Sequence, residues 1–357
     1  MMSDPNQIDN HSLREFLISA SKTKFWKKKF NEFNVNINSK NLIGEISKLP
    51  ILTKEEVKMN YDSILNINEE KYILWSKTSG STGSGLIFPQ TRVSEQKQWA
   101  IWWRYRIKIG IDYNTWMGWF GGRKIVSLKQ TKAPFHRINF PMKQIMFSAY
   151  HLNKDSVSEY YNVLKKKKIS WLHGYPSQLS LLAHLIKEKK LKKLKYLKII
   201  TTGSENLLQN QISILKDVFD VPIRQHYGLA EGTSNISEGV NSEFVCDQDF
   251  CYTEFVKKKY FYKIIGTNYN NPAFPLIRYD SGDLANIEIN SNGNKKIKSI
   301  DGRIEDYIVL KNGVKLGRLD HIFKSLTEIN EAQLFQPDID TIIFKIVKGK
   351  NYDLKNI

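Results

Sequence analysis

The chain has 357 residues, 41% hydrophobic and 12% aromatic, with a formal net charge of +18, which excludes a disordered chain and allows large cores in more than one domain. That charge raises the idea of a polyanionic partner, but lysine far outnumbers arginine, the residue that bidentate nucleic-acid contacts favour, so a solvated lysine-rich surface accounts for it. There is neither an apolar run of the roughly 20 residues a bilayer span needs nor a basic-then-apolar leader after Met1, which points to a cytoplasmic protein.

Residues up to about Lys58 read as polar helices with scattered aromatics. They include a helix capped by Thr53, with Glu56 placed to close a capping box. Tyr72–Trp75 and Leu86–Phe88 read as short strands on either side of Thr78-Ser79-Gly80-Ser81-Thr82-Gly83-Ser84-Gly85. Backbone of this composition can turn several N–H groups and hydroxyls toward one point and so wrap a phosphate chain; surface turns and linkers share the same composition. Further on, Ile169–Gly174, Pro176–Lys190, Lys198–Thr202, Leu207–Phe219 and Val221–His226 alternate strand and helix, the order of a parallel sheet flanked by helices. Ligands in such sheets sit at the carboxyl ends of strands. There lie Gly174-Tyr175-Pro176-Ser177, Gly203-Ser204-Glu205 and Tyr227-Gly228-Leu229-Ala230-Glu231, expected to share one crevice. Eleven lysines against one glutamate between Lys165 and Lys198 add a basic face to this stretch. Beyond Gly232 the strands shorten, with turn signals at Asn268–Pro272 and Ser291-Asn292-Gly293, as in a mostly β subdomain. The two cysteines, Cys246 and Cys251, are spaced for neither a disulfide scaffold nor a four-ligand zinc site.

Four segments now stand in order: Thr78–Gly85, Tyr227–Glu231, Tyr279-Asp280-Ser281-Gly282-Asp283-Leu284 and Gly302-Arg303-Ile304-Glu305-Asp306. Together they resemble the adenylate-forming superfamily of acyl-CoA synthetases. His173–Ser177, Phe147–Leu152, Pro275–Tyr279 and Gly317–Phe323 make the likeness closest to the phenylacetate–CoA ligase family and its CapK-like, capsular-polysaccharide branch, from about Leu49 onward. The resemblance implies an α/β fold: a large domain (1–302) of parallel sheets flanked by helices plus a β subdomain, then a small α+β domain (303–357). It implies that Ser79, Gly80, Ser81, Thr82 and Gly83 hold the ATP β- and γ-phosphates and that Tyr227, beside Gly228, stacks on adenine. Glu231 would ligate Mg²⁺, Asp283 would accept the ribose hydroxyls, and Arg303 would reach the ribose or α-phosphate. Gly203 and Glu205 would lie by the adenine. His151 and His173 could line the acyl pocket, though a hydrogen-bonded core histidine is the commoner case. Trp116–Trp119, Gly121–Lys124 and Tyr175 suggest its aromatic and cationic walls.

The implied reaction is attack of a small carboxylic acid on MgATP to give an acyl-adenylate, for transfer to CoA or another acceptor. Positioning and charge stabilisation would supply the catalysis. Three departures stand out: Ser84-Gly85-Leu86 replaces the family's frequent proline and lysine, and Ala230 its usual threonine. Only 303–357 follows the Gly302-Arg303 motif, so the small domain reads as incomplete, with Glu305 at its hinge and none of Lys345, Lys348, Lys350 or Lys355 in the family's lysine context. Two other readings stay open: a catalytically impaired nucleotide-binding remnant and, more weakly, a basic nucleic-acid-binding protein.

Overall fold

A computed structural model describes residues 4–67, 73–78, 85–289, 295–302, 308–311, 313–316 and 329–348. They form two units: the described residues of 1–80, 84–111 and 226–303 make the first, and those of 112–225 and 304–357 the second.

The first unit opens on α1 (Asn10–Ser21), α2 (Lys24–Glu32), α3 (Leu42–Ser47), α4 (Lys54–Met59) and α5 (Tyr61–Ile64). Leu13, Phe16, Leu17 and Ala20 recur at helical spacing and give α1 one buried face. Asp9 caps it by accepting the His11 and Ser12 N–H groups. Thr53 caps α4 as its sequence predicts, its Oγ1 accepting from the Glu56 N–H at 3.1 Å; the Glu56 carboxylate itself reaches Lys29 at 3.0 Å. These helices pack with Phe88, Phe274, Leu276, Ile277 and Tyr279 into one core, where each large apolar side chain contributes about 1.5–3 kcal/mol. The unit's beginning and end are also stitched by polar contacts: Trp26 Nε1 donates to the Pro275 carbonyl at 2.8 Å, and Leu52 exchanges backbone hydrogen bonds with Arg278 and Asp280.

Next come β1 (Ile73–Lys77) and β2 (Ile87–Thr91), paired antiparallel from Ile73 opposite Thr91 to Lys77 opposite Ile87. The serine- and glycine-rich loop thus springs from a hairpin, as its flanking strands predict. Its feet are fixed by Thr78, whose N–H donates to the Leu86 carbonyl and whose Oγ1 accepts from the Leu86 N–H. A Cβ at Gly85 would lie 2.0 Å from the Thr78 carbonyl oxygen, so only glycine fits there. Thr91 caps α6 (Arg92–Lys108).

In the second unit, β3 (Met117–Gly121), β4 (His136–Asn139), β5 (Gln144–Ser148), α7 (Val157–Lys166), β6 (Trp171–Gly174), α8 (Pro176–Glu188), β7 (Ile199–Gly203), α9 (Gln209–Phe219) and β8 (Ile223–Gly228) succeed one another. The order is β8-β7-β6-β3-β5-β4. β7, β6, β3 and β5 run parallel and β4 antiparallel to β5. The alternating strand–helix pattern therefore folds as the parallel, helix-flanked sheet it predicts, around Phe120, Phe147, Tyr160, Leu172, Leu179 and Ile200.

His226–Gly228, the end of β8, returns the chain to the first unit and pairs antiparallel with β9 (Asn235–Glu238), beside β10 (Phe244–Cys246). The β subdomain expected beyond Gly232 is the antiparallel sheet β11 (Tyr252–Lys258), β12 (Phe261–Thr267), β13 (Tyr279–Ile289) and β14 (Lys295–Gly302). Asn268–Pro272 joins β12 to β13, but Asn268, Asn270 and Asn271 are buried and do more than turn the chain. The second unit resumes with β15 (Ile308–Val309), β16 (Lys315–Leu316), β17 (Ile329–Asp338) and β18 (Thr341–Lys348), paired as two hairpins. No helix among the described residues is long and apolar enough to cross a membrane.

Candidate active site

Two predicted nucleotide residues meet in the first unit. The Tyr227 hydroxyl donates to Asp283 Oδ2 at 2.7 Å across 56 residues of sequence. β8 carries Tyr227 against Ile236, Tyr262, Ile264 and Ala285. Asp283 lies on β13 just after Gly282, whose φ of 77° needs glycine. Ser281 steadies it: its Oγ donates to the Ile264 carbonyl and accepts from the Asp283 N–H, at 2.8 and 3.0 Å. Burial, and then the adjacent Asp283 carboxylate, hold the Tyr227 hydroxyl well above its usual pKa, so it stays a donor. A carboxylate has about four lone-pair sites, so Asp283 can take further hydroxyl donors.

Glu231 is 5% exposed, in the turn between β8 and β9. The turn closes through the Gly232 N–H to the Leu229 carbonyl, with Gly232 at φ 68°. In it the Thr233 hydroxyl is buried and has no hydrogen-bond partner among the described residues. A single buried carboxylate is the kind of hard oxygen ligand that Mg²⁺ takes from protein, one or two at most, with the rest of its oxygens coming from phosphate and water.

In the second unit the Gly174 and Gly203 turns do meet. Ser204 follows Gly203 in the left-handed region, at φ 69°, and Glu205 accepts the Ser177 N–H and Oγ–H, both at 3.0 Å. Ser177 lies in the first turn of α8, where a carboxylate satisfies otherwise orphaned N–H groups and suits the helix dipole. Glu205 therefore serves at a helix N-terminus. His173 Nδ1 shares the Thr201 hydroxyl with Trp171 Nε1, at 2.8 Å each. His151 bonds Ser148 at 2.7 Å and stacks on Phe135; both histidines are hydrogen-bonded, the commoner case. At the end of β3, a Cβ on Gly121 would sit 2.2 Å from the Trp119 ring, so this glycine makes room for the indole. Ser79, Gly80, Ser81, Thr82, Gly83, Arg303, Glu305 and the Gly317–Phe323 motif lie outside the described residues.

Sequence reasoning missed a chain of buried polar groups behind Tyr227. Arg104 on α6 grips Asp249 with two nitrogens at 2.6 and 2.7 Å and Asp247 with one at 2.5 Å. Asn235 Nδ2 donates to Asp247, which leaves its Oδ1 for His226 Nε2 at 3.0 Å. That order assigns the His226 proton to Nε2. Its ring stacks on Tyr105 and meets Trp102 edge-on. Burial, then the Arg106 guanidinium, lower its pKa to about 4. Residues 104, 226, 235 and 247 share no sequence spacing that could have announced this.

No protein-family model matches the chain. In sequence it is similar to "Protein CapK" of Staphylococcus aureus, 28% identical over 370 residues that cover 99% of this chain and 81% of that protein. In structure it is similar to 2-hydroxyisobutyryl-CoA ligase, crystallised with 2-HIB-AMP and CoA in its thioesterification state. The TM-score is 0.65 at 15% identity, covering 96% of this chain and 78% of that one. An open conformation of the same ligase, also with 2-HIB-AMP and CoA, gives 0.61 at 16% identity, covering 96% and 84%. At these identities the likeness to the ligase is one of fold.

Proposed function

Starting from a chain that is CapK-like in sequence and adenylate-forming in fold, we propose that it activates a small carboxylic acid with ATP as an acyl-adenylate. Transfer to CoA or another acceptor follows, in the building of capsular or other surface polysaccharide. The observation that carries the reading is the Tyr227–Asp283 hydrogen bond at 2.7 Å, which brings an aromatic face and a carboxylate together as adenine and ribose require. In this scheme 1–302 supplies the nucleotide-binding body and 303–357 belongs to the smaller domain.

The tyrosine ring lies along adenine while the carboxylate accepts the ribose hydroxyls, a bidentate geometry that fixes the sugar. The 79–83 loop wraps the β- and γ-phosphates with N–H groups and hydroxyls, and Arg303 reaches the ribose or α-phosphate. Glu231 would hold Mg²⁺, whose chemistry there would be neutralisation of phosphate charge. Oxygen of the acid attacks the α-phosphorus, the bond to the β-phosphate oxygen breaks, and pyrophosphate leaves. No covalent enzyme intermediate is needed, so the chain's work is alignment and charge stabilisation.

Acid-dependent exchange of labelled pyrophosphate into ATP tests this. Exchange with a member of a broad acid panel, weakened in Glu231→Gln at a fixed Mg²⁺ concentration, is the expected result. ATP binding without exchange for any acid would favour a nucleotide-binding remnant, and absence of ATP binding would overturn the reading.

A further inference from the structure

Three side-chain amides grip three consecutive carbonyls of the Glu231 turn. Gln90 Nε2 donates to the Ala230 carbonyl at 3.2 Å, Asn268 Nδ2 to that of Glu231 at 3.0 Å, and Asn270 Nδ2 to that of Gly232 at 2.8 Å. All three side chains are buried, Asn268 completely. Their orientation follows from their other partners. Gln90 Oε1 accepts from the Ser76 hydroxyl at 2.7 Å, and Asn268 Oδ1 accepts the Leu276 N–H at 2.8 Å, so in each the nitrogen must face the turn. The second Asn270 Nδ2 hydrogen goes to the Phe250 carbonyl at 3.1 Å. Aspartate or glutamate could not take these places, because an ionised carboxylate has no proton to donate.

The same residues hold the hairpin that carries the serine- and glycine-rich loop. The hydrogen bond from Ser76 to Gln90 runs diagonally from β1 to β2, where Ser76 lies opposite Phe88 and Gln90 opposite Leu74, and Asn271 Nδ2 donates to the Pro89 carbonyl at 3.0 Å. Ser94, at the start of α6, donates to the Asn270 carbonyl at 2.6 Å. The Asn268–Asn271 segment is thus bonded both to β2 and to residues 231–232.

We propose that Gln90, Asn268 and Asn270 are positioning residues that hold the Glu231 carboxylate in register with the phosphate-loop hairpin before nucleotide arrives. The proposal rests on the function proposed above, since it is there that the loop meets phosphate and Glu231 meets Mg²⁺. With its carbonyls already engaged, the turn has little freedom to swing, and preorganisation of this kind lowers the cost of assembling a charged site.

Gln90→Met keeps the side chain's length and removes its N–H donor; Asn270→Asp keeps the shape and sets an oxygen against two carbonyls. In Gln90→Met, turnover in pyrophosphate exchange should fall about tenfold, the scale of one lost buried hydrogen bond, and half-maximal rate should need several-fold more Mg²⁺. AMP has no β- or γ-phosphate, so its Kd should stay within about twofold of wild type because Tyr227 and Asp283 are untouched. Asn270→Asp, where it folds, should show the same split. An unchanged rate and Mg²⁺ requirement in folded Gln90→Met, or AMP binding weakened as much as turnover, would overturn the proposal. Should the wild-type protein bind no nucleotide, the functional reading fails, and amide hydrogen exchange at 229–233 decides the clamp alone. Exchange there about tenfold faster in Gln90→Met supports it, and equal rates overturn it.

Discussion

Replacing Asp283 by alanine removes the acceptor on which the nucleotide reading depends. The carboxylate sits at 7% exposure and already accepts the Tyr227 hydroxyl at 2.7 Å. Hydrogen bonds to a charged acceptor are worth about 1.5–3 kcal/mol each, so losing two ribose hydroxyl contacts costs roughly 3 kcal/mol or more, a hundredfold or greater rise in the Kd of AMP. The variant also leaves the Tyr227 hydroxyl without this partner, at a folding cost of about 1–3 kcal/mol, so binding must be measured well below its melting temperature. Isothermal titration with AMP is the assay. Asp280→Asn is the control: it removes a carboxylate three residues away on the same strand, where Asp280 instead pairs with Lys263 at 2.6 Å, and AMP affinity should change little. Equal weakening by the two substitutions would refute the ribose assignment, because a general loss of negative charge would then explain both.

Gly85→Ala should lower the melting temperature by several degrees, since its methyl would lie 2.0 Å from the Thr78 carbonyl and backbone must shift at the hairpin base; an unchanged melting curve would refute that contact. Glu231→Gln should leave AMP binding intact while raising the Mg²⁺ needed for pyrophosphate exchange, and parallel losses in both would count against a metal role. His226 should make stability depend on pH. Its folded pKa of about 4 lies below the ordinary 6.5, so between these values the unfolded chain binds a proton that the folded chain does not, and stability falls as pH drops through that window. Urea unfolding at pH 7 and pH 5 should show a smaller difference in His226→Phe. Burial pushes the Cys246 thiol up to about 12 and Cys251 well above its usual range. Both should therefore resist a thiol reagent at pH 8 until the protein unfolds; rapid labelling of the native protein would contradict the raised thiol pKa values.

What the sequence disclosed divides along a physical line. Local chemistry was legible: Thr53 three residues before Glu56 announces a cap, and the alternation of apolar runs with helix-length segments from Ile169 to His226 announces a parallel sheet. Tyr227 and Asp283 were legible as a pair only because each sits in a recognisable segment; nothing local says that their side chains touch. Asn268–Pro272 reads as a turn because asparagine and proline mark turns on the surface and in the interior alike. Its three buried asparagines exceed what a turn needs, and that excess was the available signal. Gln90 gave none, since its partner is 140 residues away. Glu205 stands near nucleotide only through the family resemblance, and its two oxygens accept from Ser177 in the first turn of α8. A carboxylate at a strand's end has two competing customers, a ligand and a neighbouring helix, and the sequence does not rank them.

The bond from Trp26 to the Pro275 carbonyl has a consequence for biosynthesis. It spans 249 residues, and the core that buries Leu13, Phe16 and Trp26 is completed by Phe274, Leu276 and Tyr279. At a synthesis rate of roughly 5–20 residues per second, the opening helices wait about 12–50 s on the ribosome for the strand that covers them. Through that interval the parallel strands β3, β5, β6 and β7, which all lie between Met117 and Gly203, can collapse first, while a set of large apolar faces stays open to solvent. The nascent chain should therefore be a holdase client whose release coincides with the emergence of residues 274–279.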